Sequence, residues 1–144
     1  MNAQKKIYFA HPVSQYGTKV ESDTIKHLED LGMKIINPNE PEHCEAYETQ
    51  GMQYFIDLCN KCDGCIYTTF ENGAIGAGVA KEIESFLERD LPVFLAIPLF
   101  IVDKQFSTLA TQQVTLIRTH TLKKHCWIMG VEQTRAYLKE IGAR

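Results

Sequence analysis

Short apolar runs of β-forming residues alternate along this chain with amphipathic helical stretches, and no other feature restricts its folding as much. Pro92 to Ile97 is almost wholly apolar, as a strand buried on both faces must be, which marks a parallel sheet covered by helices. Lys5 to His11 (KKIYFAH) reads as a first strand stopped by Pro12, Met33 to Ile36 as a second, Gly64 to Phe70 as a third, and Val114 to Ile117 as a candidate fifth. Between them Val20, Ile25, Leu28 and Leu31 recur at helical spacing up to Gly32, and Met52, Phe55, Ile56 and Cys59 share one helical face. A helix from Ala77 to Arg89 follows a turn punctuated by Gly73, Gly76 and Gly78, and Val131 to Ile141 reads as a closing amphipathic helix. The segment NPNEPEHCEAY, with its prolines and asparagines, is read as a polar loop. The expected fold is α/β: a single-domain, doubly wound, flavodoxin/Rossmann-like parallel sheet of about five strands with helices on both faces. Ligands of such folds sit at the carboxyl ends of the strands, which places His11 to Thr18, Asn37 to Tyr47, Phe70 to Gly78 and the loop after Ile97 around one crevice.

The 144 residues are about one ordinary domain, read as 1–144. Hydrophobic residues at 44% and charged residues at 23% exclude a disordered or fibrous chain. A net charge of −3, with both signs mixed along the chain, offers no footprint for a polymeric nucleic acid or an anionic membrane. The start, MNAQKK, has no apolar leader, and the longest apolar run, Leu91 to Val102, is too short to span a bilayer. The expected location is the cytoplasm, where an odd count of five cysteines remains reduced and forms no disulfide framework.

One carboxylate stands out. A helix advances about 100° per residue, so with Val79 as origin Ile83 and Phe86 fall within about 40° and Glu82 lies only about 60° away, while Lys81, Glu84 and Glu88 point elsewhere. Glu82 therefore sits at the inward edge of its helix, shortly after a glycine-rich loop. A carboxylate there is favoured in its ionised form by the orphan amides and the helix dipole, ready to act as nucleophile or counter-charge. The bland alternative is that it only supports the helix end, as most helix acids do.

Three segments carry a resemblance: KIYFAHP at the first strand, CDGCIYTTF at the third, and GAIGAGVAKEIESFLERDLPVFLAIP. Together they resemble the nucleoside 2-deoxyribosyltransferase superfamily, with Ile-Tyr in the first strand, an aspartate opening the third, and a glycine loop leading to a glutamate about ten residues before the next strand. Glu82 stands in that register before Val93, and Glu84 does not. The resemblance spans most of the first two thirds of the chain and nothing beyond Pro98. It implies cleavage or transfer at the N-glycosidic bond of a (deoxy)nucleoside or nucleoside 5′-monophosphate, with Glu82 as nucleophile or as the carboxylate that stabilises an oxocarbenium ion. It implies no cofactor and no metal, and a homo-oligomer in which a neighbouring subunit completes the site.

The family also supplies a proton-donating aspartate from the helix before the third strand. Here the expected position, eight residues before Asp63, is Phe55, and the nearest carboxylate, Asp57, is the candidate in its place. Tyr8, His11, Ser14, Tyr16, Gly17 and Thr18 lie where the family holds the sugar or its 5′-phosphate, and Gly76 and Gly78 open the glutamate's helix. His11 has two readings, a phosphate ligand or a capping side chain. Asn37, with Asn39 and His43, lines the base side or merely forms a turn.

Cys59, Cys62 and Cys65 form a CxxCxxC run that suggests zinc or an iron-sulfur cluster, but a run that begins in a helix and ends in an apolar strand splays its thiols, so buried small residues are the better account. Two alternatives to an enzyme stand: a non-catalytic nucleotide-binding module, and a flavodoxin-like redox or metal protein.

Overall fold

The computed structural model describes residues 4–103 and 108–142. The start of the MNAQKK segment lies outside them. Five strands form the main sheet: β1 (Lys6–Ala10), β2 (Lys34–Ile36), β3 (Gly64–Tyr67), β5 (Val93–Asp103) and β6 (Thr108–Arg118). Their order is β2-β1-β3-β5-β6. The chain steps outward from β1 to β2 and returns to the other side of β1 as β3, so the topological switch point opens above the carboxyl ends of β1 and β3. The fold is α/β with a central parallel sheet, consistent with the flavodoxin-like class.

Period-two alternation explains why both sheet faces are apolar. Tyr8 and Ala10, Cys65 and Tyr67, and Val93 and Leu95 point to one side, where they pack with Cys59 of α3 (Met52–Cys59) and Ile83 and Phe86 of α4 (Ala77–Glu88). Phe9, Ile66 and Ala96 point to the other, where Leu28 of α1 (Lys19–Asp30) covers them. Thr18 caps α1, its hydroxyl accepting from the Glu21 amide at 3.3 Å.

Three features differ from the sequence expectation. The sheet is mixed: β6 runs antiparallel to β5, because the short stretch between Asp103 and Thr108 cannot make the crossover that parallel strands need. The supposed loop contains α2 (Pro41–Gln50), since Pro41 occupies its first turn, where a proline needs no amide partner and its φ already suits the helix. A small second sheet pairs β4 (Ala74–Ile75) with β7 (Trp127–Ile128), elements too short to leave a periodic signal. That sheet carries α5 (Val131–Glu140) back to the glycine turn before α4, and the Ala77 amide donates to Thr134 Oγ1 at 3.0 Å. No helix among the described residues is long and apolar enough to cross a membrane.

Gly51 makes the corner between α2 and α3 at φ 69°, ψ −159°, a conformation open almost only to glycine. Gly51→Ala is expected to lower stability by about 1–3 kcal/mol in denaturant titration. Gly78→Ala, whose added methyl would meet only Met52 Sδ at 3.6 Å inside a helix, should be neutral or stabilising by up to about 1 kcal/mol.

Candidate functional site

A cleft of about 580 Å³ opens at the carboxyl end of β1, between the loop after β1, helices α2 and α3, the start of α4, and α5. Glu82 forms part of its wall and is only 6% exposed. It sits beside Ile83 and Phe86 on the buried face of α4, while Lys81 and Glu84 are exposed, as the 100° periodicity requires. The fully buried Tyr8 hydroxyl donates to Glu82 Oε2 from the neighbouring strand.

Burial pushes the Glu82 carboxyl up to about 8, and the Tyr8 hydrogen bond only partly offsets that rise. This corrects the expectation of a carboxylate kept ionised by the helix end. Glu82 is the sixth residue of α4, beyond the first turn in which the dipole acts, so the loss of hydration dominates. Burial, and then the charge of Glu82, raise the Tyr8 phenol well above its ordinary value, so Tyr8 remains a donor.

His11, 2% exposed, also lines the cleft, but both ring nitrogens are engaged. Nδ1 donates to the Phe9 carbonyl at 2.8 Å, and Nε2 meets Glu21 Oε2 at 2.6 Å. The ring stacks on Phe9 at 4.1 Å and leans on Tyr16 at 4.9 Å. Burial opposes ionisation of Glu21, yet hydrogen bonds from His11 and the Gly17 amide, the His11 charge and Asn39 together hold its carboxyl below the ordinary value. His11 and Glu21 thus lock the loop after β1 onto α1, and no ring nitrogen is left for a phosphate unless one of these bonds breaks.

The structure brings together Glu82, His11, Tyr16, Gly76 and Gly78 on the cleft wall. Tyr8 stands behind Glu82 instead of on that wall. Asp57 is a correction: it is exposed on α3 and accepts from Gln53 Nε2 at 2.8 Å, one helical turn away. Phe55, two residues earlier, takes the cleft-facing position, because α3 turns its apolar side inward. Asn37 is a turn residue, its side-chain oxygen accepting from the Asn39 amide at 2.9 Å, and the Gly17 amide is committed to Glu21 at 3.2 Å. Asn39 likewise donates to Glu21, and His43 Nδ1 lies 2.5 Å from the Tyr54 hydroxyl.

Ser14 and Thr18 line a second, larger cavity of about 760 Å³, which shares Phe70 with the cleft. Its threonines are already used: Thr18 donates to the Gln15 carbonyl at 2.6 Å and Thr68 to Gln15 Oε1 at 2.8 Å. Among the described residues its one carboxylate, Glu71, is exposed. The smaller cleft, with a buried carboxyl displaced towards neutrality, is the better candidate site despite its size.

Cys44 and Tyr47 of α2 lie on the cleft wall, within the segment expected at the crevice; sequence reasoning missed Glu48 of α2 and Thr134 and Leu138 of α5, which also line it. Their spacings, three to four residues in α2 and four in α5, are the mark of one helical face, legible once those segments are taken as helices.

All five cysteines are free. Cys59, Cys62 and Cys65 are buried, and burial pushes their thiols up, Cys62 to about 11. Among the described residues the group whose ligand atoms converge, within 4.8 Å, is instead Glu40, Glu42 and His43, two of them exposed.

No family model and no curated protein sequence matches this chain. Its class therefore rests on the fold and the site: a flavodoxin-like α/β protein with a buried, hydrogen-bonded glutamate in a switch-point cleft.

Because Glu82 holds its proton to about pH 8 when folded and to about 4.5 in its ordinary state, the unfolded chain binds fewer protons between these values. Its contribution to stability is complete below about 4.5 and is lost as pH rises through about 8. Glu82→Gln, which cannot ionise, should gain stability relative to the native protein across that window, by on the order of 1 kcal/mol per pH unit, and level off above it. Urea titrations at a series of pH values test this.

Proposed function

We propose that this chain cleaves or transfers at the N-glycosidic bond of a (deoxy)nucleoside or nucleoside 5′-monophosphate, with Glu82 as nucleophile or oxocarbenium-stabilising carboxylate. The observation that carries the proposal is Glu82 itself, a near-fully buried acid on the wall of a cleft large enough for a nucleoside and held by a phenol donor. The resemblance of KIYFAHP, CDGCIYTTF and the glycine turn before Glu82 to the nucleoside 2-deoxyribosyltransferase superfamily supports it from the sequence.

As the bond from the anomeric carbon to the base nitrogen breaks, its electron pair leaves with the base and positive charge grows on the sugar. Ionised Glu82 either stabilises that charge or bonds to the anomeric carbon, and water or a second base then takes the glycosyl group. The low-dielectric pocket that raises the carboxyl also strengthens its attraction for a developing cation. Tyr8 keeps one oxygen oriented while the other remains available. The departing base takes up a proton, which the incoming water or acceptor base gives up as it bonds to the anomeric carbon, so the step balances. The resemblance further suggests a homo-oligomer, which light scattering would test.

A second reading, a nucleotide-binding module without catalysis, draws on Phe55 standing where the family places its acid, with Asp57 facing solvent. It predicts binding with no release of base at long times.

Incubation with a panel of nucleosides and monophosphates, with and without an acceptor base, should yield free base by chromatography. Glu82→Ala should lower this by about a thousandfold or more while the circular dichroism stays native. Unchanged turnover in that variant would remove the assignment. Since the ionised form is the reactive one, kcat/KM should climb with pH and level off above about 8.

A further inference from the structure

Two carboxylates line the cleft, and they differ in depth: Glu82 is buried and Glu48, on α2, is exposed. Beside Glu48, the Tyr47 ring stacks on Phe55 at 5.1 Å, so the outer part of the cleft is an aromatic wall edged by an acid. Glu48 has no hydrogen-bond or ion-pair partner among the described residues, and no lysine or arginine lines the cleft among them. An ionised carboxylate only accepts hydrogen bonds. A ligand that brings an N–H donor to Glu48 gains a charge-assisted hydrogen bond, and one that does not leaves that exposed carboxylate to water.

Resting on the reading of Glu82 given above, we infer that Glu48 recognises the base and selects nucleobases that carry an exocyclic amino group. With the anomeric carbon at the deep acid, the base extends outward and its flat face meets Tyr47 and Phe55, a contact that every base satisfies and that cannot discriminate. Discrimination falls to the edge. An amino group there donates to Glu48, whereas a carbonyl oxygen in its place would set acceptor against acceptor. The resemblance directs attention to α3 for an acid near the base; in this chain that acid is on α2, one turn after Cys44, and Phe55 supplies surface instead.

The test compares pairs in which a carbonyl oxygen replaces the amino group: 2′-deoxyadenosine with 2′-deoxyinosine, and 2′-deoxycytidine with 2′-deoxyuridine. The native protein should favour the amino member of each pair by about tenfold in kcat/KM, a modest factor because Glu48 is exposed. Glu48→Gln, able to accept or donate, should bring each ratio to within about twofold. Dissociation constants measured by calorimetry on Glu82→Gln, which binds without turnover, should show the same preference, and the Glu82→Gln/Glu48→Gln double variant should lose it. Equal ratios in the native protein, or a preference that survives Glu48→Gln, would overturn the inference. If the native protein releases no base from any nucleoside and the calorimetric preference still depends on Glu48, base recognition stands and the catalytic reading fails.

Discussion

A carboxyl group withdrawn from water, with a tyrosine hydroxyl as its close partner, governs the rest of this structure. Glu82 lies between the sheet and the cleft, and Tyr8, itself wholly buried, reaches it from the central strand. Each group alone would carry a cost in that position: an unpartnered buried phenol leaves a donor unsatisfied, and an unpartnered buried carboxyl loses its hydration. The pairing ties β1 to α4 across the core face, and it keeps a polar atom where the apolar layer opens into the cleft. Without it the cleft would be an ordinary hollow between helices.

The surrounding elements hold that opening in shape by commitments of their own. His11 and Glu21 lock the loop after β1 to α1, with the Gly17 amide and Asn39 completing the carboxylate's partners. On the opposite side, Thr134 binds the first amide of α4, and a methyl on Gly76 would come within 2.9 Å of it, so the close approach of α5 requires glycine there. Groups that seem suited to ligands when viewed as residue types are thus spent on the scaffold. The cleft's own chemistry is left to few side chains: one deep acid, one exposed acid and an aromatic wall.

Much of this was legible from the residues. Short apolar runs in β1, β3 and β5 and helical periodicity in α1, α3 and α4 follow from local geometry and burial, so the order of elements and the inward edge occupied by Glu82 could be read directly. The same periodicity, with Met52, Phe55, Ile56 and Cys59 on one face of α3, turns Asp57 outward; it was a candidate only because the resemblance asks for an acid near that position. α2 was hidden by prolines that act as breakers inside a helix but as starters at its first turn. β6 was legible as a candidate strand at Val114 to Ile117 but its antiparallel direction was not, since that is set by the connection, and the two-residue strands β4 and β7 carry no pattern of their own.

The sequence by itself determined which residues face inward, because the alternation of apolar and polar side chains is a property of the local backbone repeat. It therefore determined the layered α/β class and singled out Glu82 among its acidic neighbours. Only the tertiary structure decided what surrounds that acid: Tyr8 as its partner, α2 and α5 as the outer walls of the cleft, and a carboxyl raised by burial. Such outcomes depend on groups far apart in the chain meeting in a low-dielectric interior, and on the loss of water there, which no local pattern of residues encodes.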